Sequence, residues 1–240
     1  MTRHRQLLLG VVFAAIGVSI VALPAAAAGA DSATEALIQS LNLKLLYVAV
    51  PITILVEGIL IYTVWRFRNN DEPAPTQENR RLEITWTVAT AIILLFVGVA
   101  SYQVLALPAV TATPQVTEEG QTNATEVTVV GQQFLWTFKY PEANVTSRGT
   151  LVLPANRTVS LNITSTDVIH AVHIPELGLK QDAVPGQYNR LQTTPTSQGT
   201  YQLYCAEFCG TGHSQMTATV KVVSYDEYQQ WLEDQQESQQ

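Results

Sequence analysis

Two long apolar runs, at about 43–64 and 84–107, decide most of what this 240-residue chain can become. Each reaches the ~20 residues that an α-helix needs to cross a bilayer. The short connection between them carries Arg66, Arg68, Arg80 and Arg81, four of the thirteen basic residues. Basic loops stay on the cytoplasmic side, so both ends of this helical hairpin, and everything after Leu107, face outward. A third, shorter run at about 7–23 follows Arg3, His4 and Arg5 and ends in small residues. That order describes a secretory signal peptide over residues 1–30, with an uncleaved membrane helix as the alternative. Either fate leaves the orientation unchanged.

Polar residues inside the hairpin are few. Glu57 lies within the first membrane run, where a carboxylate is costly and marks either function or a buried partner. Pro51 is tolerated in such a helix when neighbours satisfy the freed carbonyl. Glu83 sits at the cytoplasmic mouth of the second run, three residues before Trp86.

Beyond a linker at 108–124 the pattern changes to short strands separated by Gly, Pro and Asn. Strand-like runs fall at 125–130, 134–140, 150–153, 159–163, 170–174, 199–204 and 217–223. Period-2 alternation of this kind predicts an all-β sandwich or barrel over 125–224, long enough to hold its own core. Ser224 and Glu227 then form a capping-box pattern, and Tyr228, Trp231 and Leu232 share one helical face. A short docking helix is expected there, followed by a disordered Gln-rich end at 235–240. Asn-x-Thr sequons begin at Asn123, Asn144, Asn156 and Asn162. A formal charge of −7 excludes nucleic acid as a natural partner and suits attraction of a basic protein.

Within 204–217 lie both cysteines of the chain, Cys205 and Cys209, with His213 and Met216 close behind. Thiolate, thioether and imidazole together make a soft donor set that suits copper better than a hard cation. A disulfide across four positions would constrain the unfolded chain little and leave His213 and Met216 unexplained. A copper chaperone with Cys-x3-Cys spacing needs βαβ units that this domain lacks. A mononuclear blue-copper site fits the order of ligands but needs one thiolate, not two. Two thiolates in one loop can instead bridge two copper ions, and two ions call for a second terminal imidazole. With His4 in the leader, His170 and His173 remain; three apart in a strand, they point to opposite faces.

Cys205-Ala-Glu-Phe-Cys209-Gly-Thr-Gly-His213-Ser-Gln-Met216 resembles the dinuclear copper (CuA) loop of the cytochrome c oxidase subunit II family. Asp167-Val-Ile-His170 with the following 177–186 is similar to that family's first copper-histidine segment. Leu82-Glu83-Ile-Thr-Trp86 resembles the start of its second membrane helix, and 131–140 resembles its aromatic segment. The resemblance runs in family order from about residue 40 to 235. It implies a membrane α-helical hairpin of two transmembrane helices (31–107) plus an all-β, cupredoxin-like sandwich domain, with a C-terminal helix and tail at 225–240. It also implies two copper ions held by His170, Cys205, the carbonyl of Glu207, Cys209, His213 and Met216, with the Glu207 side chain binding Mg²⁺ shared with subunit I. No haem is expected in this chain.

The function implied is electron input to a proton-pumping haem–copper terminal oxidase. Electrons pass to haem in subunit I, which with CuB reduces O2 to water. Glu83 matches the glutamate at the entrance of one proton pathway. Phe134 stands where the family places a tryptophan that receives electrons, and Trp136 matches the second tryptophan of that segment. Asp167 matches an acidic docking position. Phenylalanine is harder to oxidise than tryptophan, so the donor is either cytochrome c or a small blue-copper protein. The expected location is the cell (plasma) membrane as a multi-pass protein, with the CuA domain on the extracytoplasmic side and other oxidase subunits as partners. The competing readings are a membrane-anchored copper carrier or chaperone, and the CuA subunit of a nitric oxide reductase.

Overall fold

The structure, a computed structural model, describes residues 29–107, 110 and 124–238. The expected signal peptide therefore lies outside the described residues except for 29–30, as does the linker except for 110 and 124. The sequon asparagine at 123 lies outside them as well.

Two helices, α1 (Ala33–Phe67) and α2 (Arg80–Leu105), form the hairpin, and both are long and apolar enough to span a bilayer. Pro51 sits inside α1 without ending it. Glu57 and Glu83 are exposed, the latter in the first turn of α2 after the Asn79 N-cap. The first helix begins some ten residues before its apolar run. Ser32 caps it, accepting from the Glu35 N–H at 3.0 Å. Hydropathy marks the stretch that suits lipid, whereas the helix also includes a polar first part that meets the rest of the protein.

The remainder is a two-sheet β-sandwich. Ten strands follow in order: β1 (Thr125–Gln132), β2 (Leu135–Tyr140), β3 (Val145–Arg148), β4 (Thr150–Pro154), β5 (Val159–Ser165), β6 (His170–Ile174), β7 (Leu179–Ala183), β8 (Asn189–Thr193), β9 (Gly199–Cys205) and β10 (Thr217–Val223). One sheet runs β3-β2-β1-β5-β8 and the other β4-β10-β9-β6-β7. Most neighbours are antiparallel, but β1 pairs with β5, and β10 with β4, in parallel. Alternate residues such as Val127, Val129, Leu161 and Ile163 from one sheet meet Leu151, Leu153, Val172, Ile174, Leu203 and Val220 from the other. This is the inward half of the period-2 pattern.

Tyr140 ties the sheets together. It is nearly fully buried, and its hydroxyl lies 2.8 Å from the Val152 N–H and 3.2 Å from the Val152 carbonyl. Burial pushes this hydroxyl far above the usual tyrosine range, so it stays a neutral donor and acceptor. Over it packs α3 (Tyr225–Ser238), through Trp231 and Tyr228 at ring-centroid distances of 5.0 and 6.3 Å.

Three strands had no clear sequence signal. β7 reads Leu-Lys-Gln-Asp-Ala and β8 reads Asn-Arg-Leu-Gln-Thr. Both, like β3, lie at sheet edges, where few side chains turn inward and alternation is weak. The Gln-rich end also departs from expectation. The helix continues through 235–238, and Gln236 donates to the Ala143 carbonyl. A well-capped helix docked by aromatic residues overrides the polar composition of its last turn.

Candidate metal centre

The elements that build the centre are β6 and the β9–β10 connection, neighbours in one sheet. β6 pairs with β9 so that Val172 faces Cys205 and His173 faces Tyr204. The loop that follows is held at its base by two backbone bonds. Cys205 N–H donates to the Met216 carbonyl at 3.0 Å, and Ala206 N–H to the Ala171 carbonyl at 2.9 Å. A short 3₁₀ turn, His213–Gln215, brings the chain back into β10.

Six donor atoms converge as a result. Cys205 Sγ lies 3.8 Å from Cys209 Sγ, 3.8 Å from His170 Nδ1 and 3.2 Å from the Glu207 carbonyl. Cys209 Sγ lies 3.6 Å from His213 Nδ1 and 3.8 Å from Met216 Sδ. Two donors about 2.0–2.3 Å from one cation at a tetrahedral angle are themselves ~3.3–3.8 Å apart, so these spacings fit shared metal ligands. His170 and Met216 are fully buried and both cysteines nearly so. Neither cysteine is in a disulfide. The soft character of the set favours copper.

Burial pushes the Cys209 thiol up to about 11, and the neighbouring Cys205 thiol adds to the rise. A cation bound here has to displace those protons. The two candidate strand histidines separate cleanly. His170 points at Cys205, whereas the His173 ring lies 4.9 Å from that of Tyr204, outside the cluster. Burial, followed by the Lys180 charge, lowers the pKa of His173.

The remaining expected site residues take different places. The Glu207 side chain is exposed while its carbonyl turns toward the sulfur. Phe134, in the β1–β2 turn, is 36% exposed and its ring lies over Gly210 and Gly212. Trp136 is fully buried, with its indole 6.0 Å edge-on from the His170 ring. Its ring nitrogen has no hydrogen-bond partner among the described residues. Gly131 allows this packing, since a Cβ there would come within 3.1 Å of both His170 and Trp136. Glu83, at the start of α2, is not part of the cluster.

Asp167 does more than its expected surface role suggests. Its Oδ1 lies 2.8 Å from His170 Nε2, so the carboxylate fixes the ring whose other nitrogen faces the thiols. Its Oδ2 accepts from the Gln133 N–H at 2.8 Å, and Oδ1 also accepts from the Val168 N–H at 2.6 Å. Burial pulls this carboxyl upward. The Gln133 N–H, His170 ring, Val168 N–H and Ser165 hydroxyl together outweigh that pull and hold it at about 2. Sequence reading missed this pairing, although an acid three residues before a metal-type histidine is its local signal. Phe208, 77% exposed beside His213, was also missed and has no comparable signal.

Comparison with known proteins followed the same outline. The family described as cytochrome C oxidase subunit II, periplasmic domain, matches residues 144–223, and the transmembrane domain of the same subunit matches residues 21–104. The "Probable cytochrome c oxidase subunit 2" of Rickettsia bellii is 33% identical over 213 residues, covering 78% of this chain and 75% of that protein. Cytochrome c oxidase subunit 2 of Cereibacter sphaeroides is 31% identical over 229 residues, covering 79% and 73% respectively. Among solved structures, the periplasmic domain of cytochrome oxidase subunit II from Bradyrhizobium japonicum aligns at a TM-score of 0.47. It shares 25% identity and covers 49% of this chain and 97% of that one.

Proposed function

The chain belongs to the cytochrome c oxidase subunit II family, and on that premise we propose that its six converging donors form a dinuclear copper centre that takes electrons from an external carrier. As a subunit of cytochrome c oxidase it serves an oxidoreductase complex whose oxygen chemistry lies in subunit I. The observation that carries the copper assignment is the spacing of 3.2–3.8 Å around two buried thiols. Copper held by these donors would supply one-electron transfer, and the fixed, buried thiols would keep its surroundings little changed as the electron comes and goes.

This chain's residues supply the frame. His170, Cys205, the Glu207 carbonyl, Cys209, His213 and Met216 are the ligands in this reading. The burial of both sulfurs excludes water, and Asp167 fixes the His170 ring. Phe134, partly exposed with its ring over Gly210 and Gly212, stands at the electron-entry position in this reading, while Trp136 packs behind His170. The exposed Glu207 carboxylate would hold Mg²⁺ at the junction with subunit I in this reading. Glu83 opens a proton pathway at the opposite end of α2. The sandwich lies on the extracytoplasmic side of the plasma membrane, which the four arginines near the hairpin connection support. The donor is cytochrome c or a small blue-copper protein.

Metal analysis and paramagnetic resonance of the purified oxidase test the assignment. Two coppers in this subunit and hyperfine structure from two equivalent nuclei are expected. One copper, or hyperfine structure from a single nucleus, would sink it. Cys205→Ser is expected to abolish or convert the signal, and His173→Ala to leave it intact.

A further inference from the structure

Gln133 stands at the point where three parts of the site meet, immediately before Phe134 in the β1–β2 turn. Its backbone N–H donates to Asp167 Oδ2 at 2.8 Å, and the other oxygen of that carboxylate holds His170 Nε2 at 2.8 Å. Its side-chain amide runs the other way and donates to the carbonyl of Cys209. That amide lies so close over Gly210 that a Cβ there would sit 2.9 Å from it. One residue thus reaches β6 through a carboxylate and the cysteine loop directly.

The loop has a tie on its opposite flank too, the Ala206 N–H to the Ala171 carbonyl. That tie and the Cys205–Met216 backbone bond hold the base near Cys205. They leave the far half, from Cys209 to His213, to be held by its own turn and by Gln133. Gln133 itself is exposed, but its amide reaches in to the carbonyl of a buried residue, Cys209, where water competes weakly.

We propose that Gln133 is a positioning residue for the copper centre, a latch that fastens the Phe134 turn to Cys209 and, through Asp167, to His170. This rests on the copper reading above. By pinning the peptide that carries Cys209, the latch fixes the direction of the Cys209 sulfur and the seat of the Phe134 ring. Groups that orient ligands in this way commonly change metal affinity by about 10–100-fold when removed. The backbone N–H to Asp167 is kept in any variant other than proline, so side-chain variants isolate the Cys209 arm of the latch.

Gln133→Met keeps length and volume but cannot donate to the carbonyl. In the whole purified oxidase it is expected to retain two coppers in this subunit with an altered hyperfine pattern and a shifted midpoint potential. Copper should be lost to a chelator at roughly 10–100-fold lower chelator concentration than in the unsubstituted protein. In the copper-depleted protein, the amides of 209–212 should exchange faster while those of β5 and β8 do not change. Should Gln133→Met fail to assemble, Gln133→Asn carries the same test, because its amide is one methylene too short. Unchanged spectrum, potential, chelator sensitivity and exchange would overturn the latch. Absence of a dinuclear signal in the unsubstituted oxidase would instead overturn the copper reading itself, so the two failures are distinguishable.

Discussion

Phe134 rests on two glycines, and that contact covers the cysteine loop. A Cβ on Gly212 would sit 2.5 Å from the Phe134 ring, so Gly212→Ala has to displace it. Overpacking of this kind costs about 1–3 kcal/mol. The expected result is a lower unfolding temperature that Phe134→Leu, paired with Gly212→Ala, largely recovers. Gly210, at φ 130°, occupies backbone space that a side chain strains. Asp167 brings a pH dependence whose sign is fixed. Its folded value of about 2 lies below the ~3.9 of an unfolded aspartate, so its stabilisation is present above about pH 4 and lost as pH falls toward 2. The carboxyl is still partly exposed to solvent, so the effect is screened and modest. Melting curves of Asp167→Asn and the unsubstituted protein are expected to differ above pH 4 and converge by about pH 2. Cys205, Cys209, His213 and Met216 were legible in the sequence because four donors share one short loop. Gln133 was not, because its partners lie 34 and 76 positions away.

Elements show the same division between local and distant causes. The hairpin helices announce themselves by unbroken apolar length and the central strands by period, since the former suit lipid and the latter bury one whole face. Edge strands β3, β7 and β8 do not, because pairing with a neighbour, and not their own side chains, makes them strands. The C-terminal helix was visible in its first turn, where Ser224 Oγ and Glu227 Oε2 are 2.8 Å apart. Its true length depends on what it covers. Tyr228, on the inner face of α3, is buried against Tyr140, so Tyr228→Ala removes a large ring from the core. A loss of about 3–5 kcal/mol is expected, read as a lower denaturant midpoint. The copper spectrum of the folded fraction should be unchanged.

On the scale of the molecule, α1 is longer than a membrane requires. Its 35 residues span about 52 Å, against ~30 Å of hydrocarbon. The excess is anchored to the sandwich. Ser32 Oγ donates to the Leu177 carbonyl at 2.6 Å, Ala33 N–H to Thr194 at 3.1 Å, and Thr196 N–H to Asp31 at 2.8 Å. Ile38 packs on Gly178. Ser32→Ala removes both an N-cap and this tie, at a cost of about 1–2 kcal/mol. Faster amide exchange at 33–36, with β6 unaffected, is the expected signature.

Those hydrogen bonds join residues about 145 to 165 positions apart, and this bears on the order in which the protein is made. At about 5–20 residues per second of synthesis, the start of α1 exists for roughly 8–30 seconds before the segments that seal it emerge. Insertion of the hairpin therefore precedes completion of the sandwich. The last strand to arrive, β10, follows Met216 directly. The six donors therefore cannot meet until Met216 has been made, long after the hairpin.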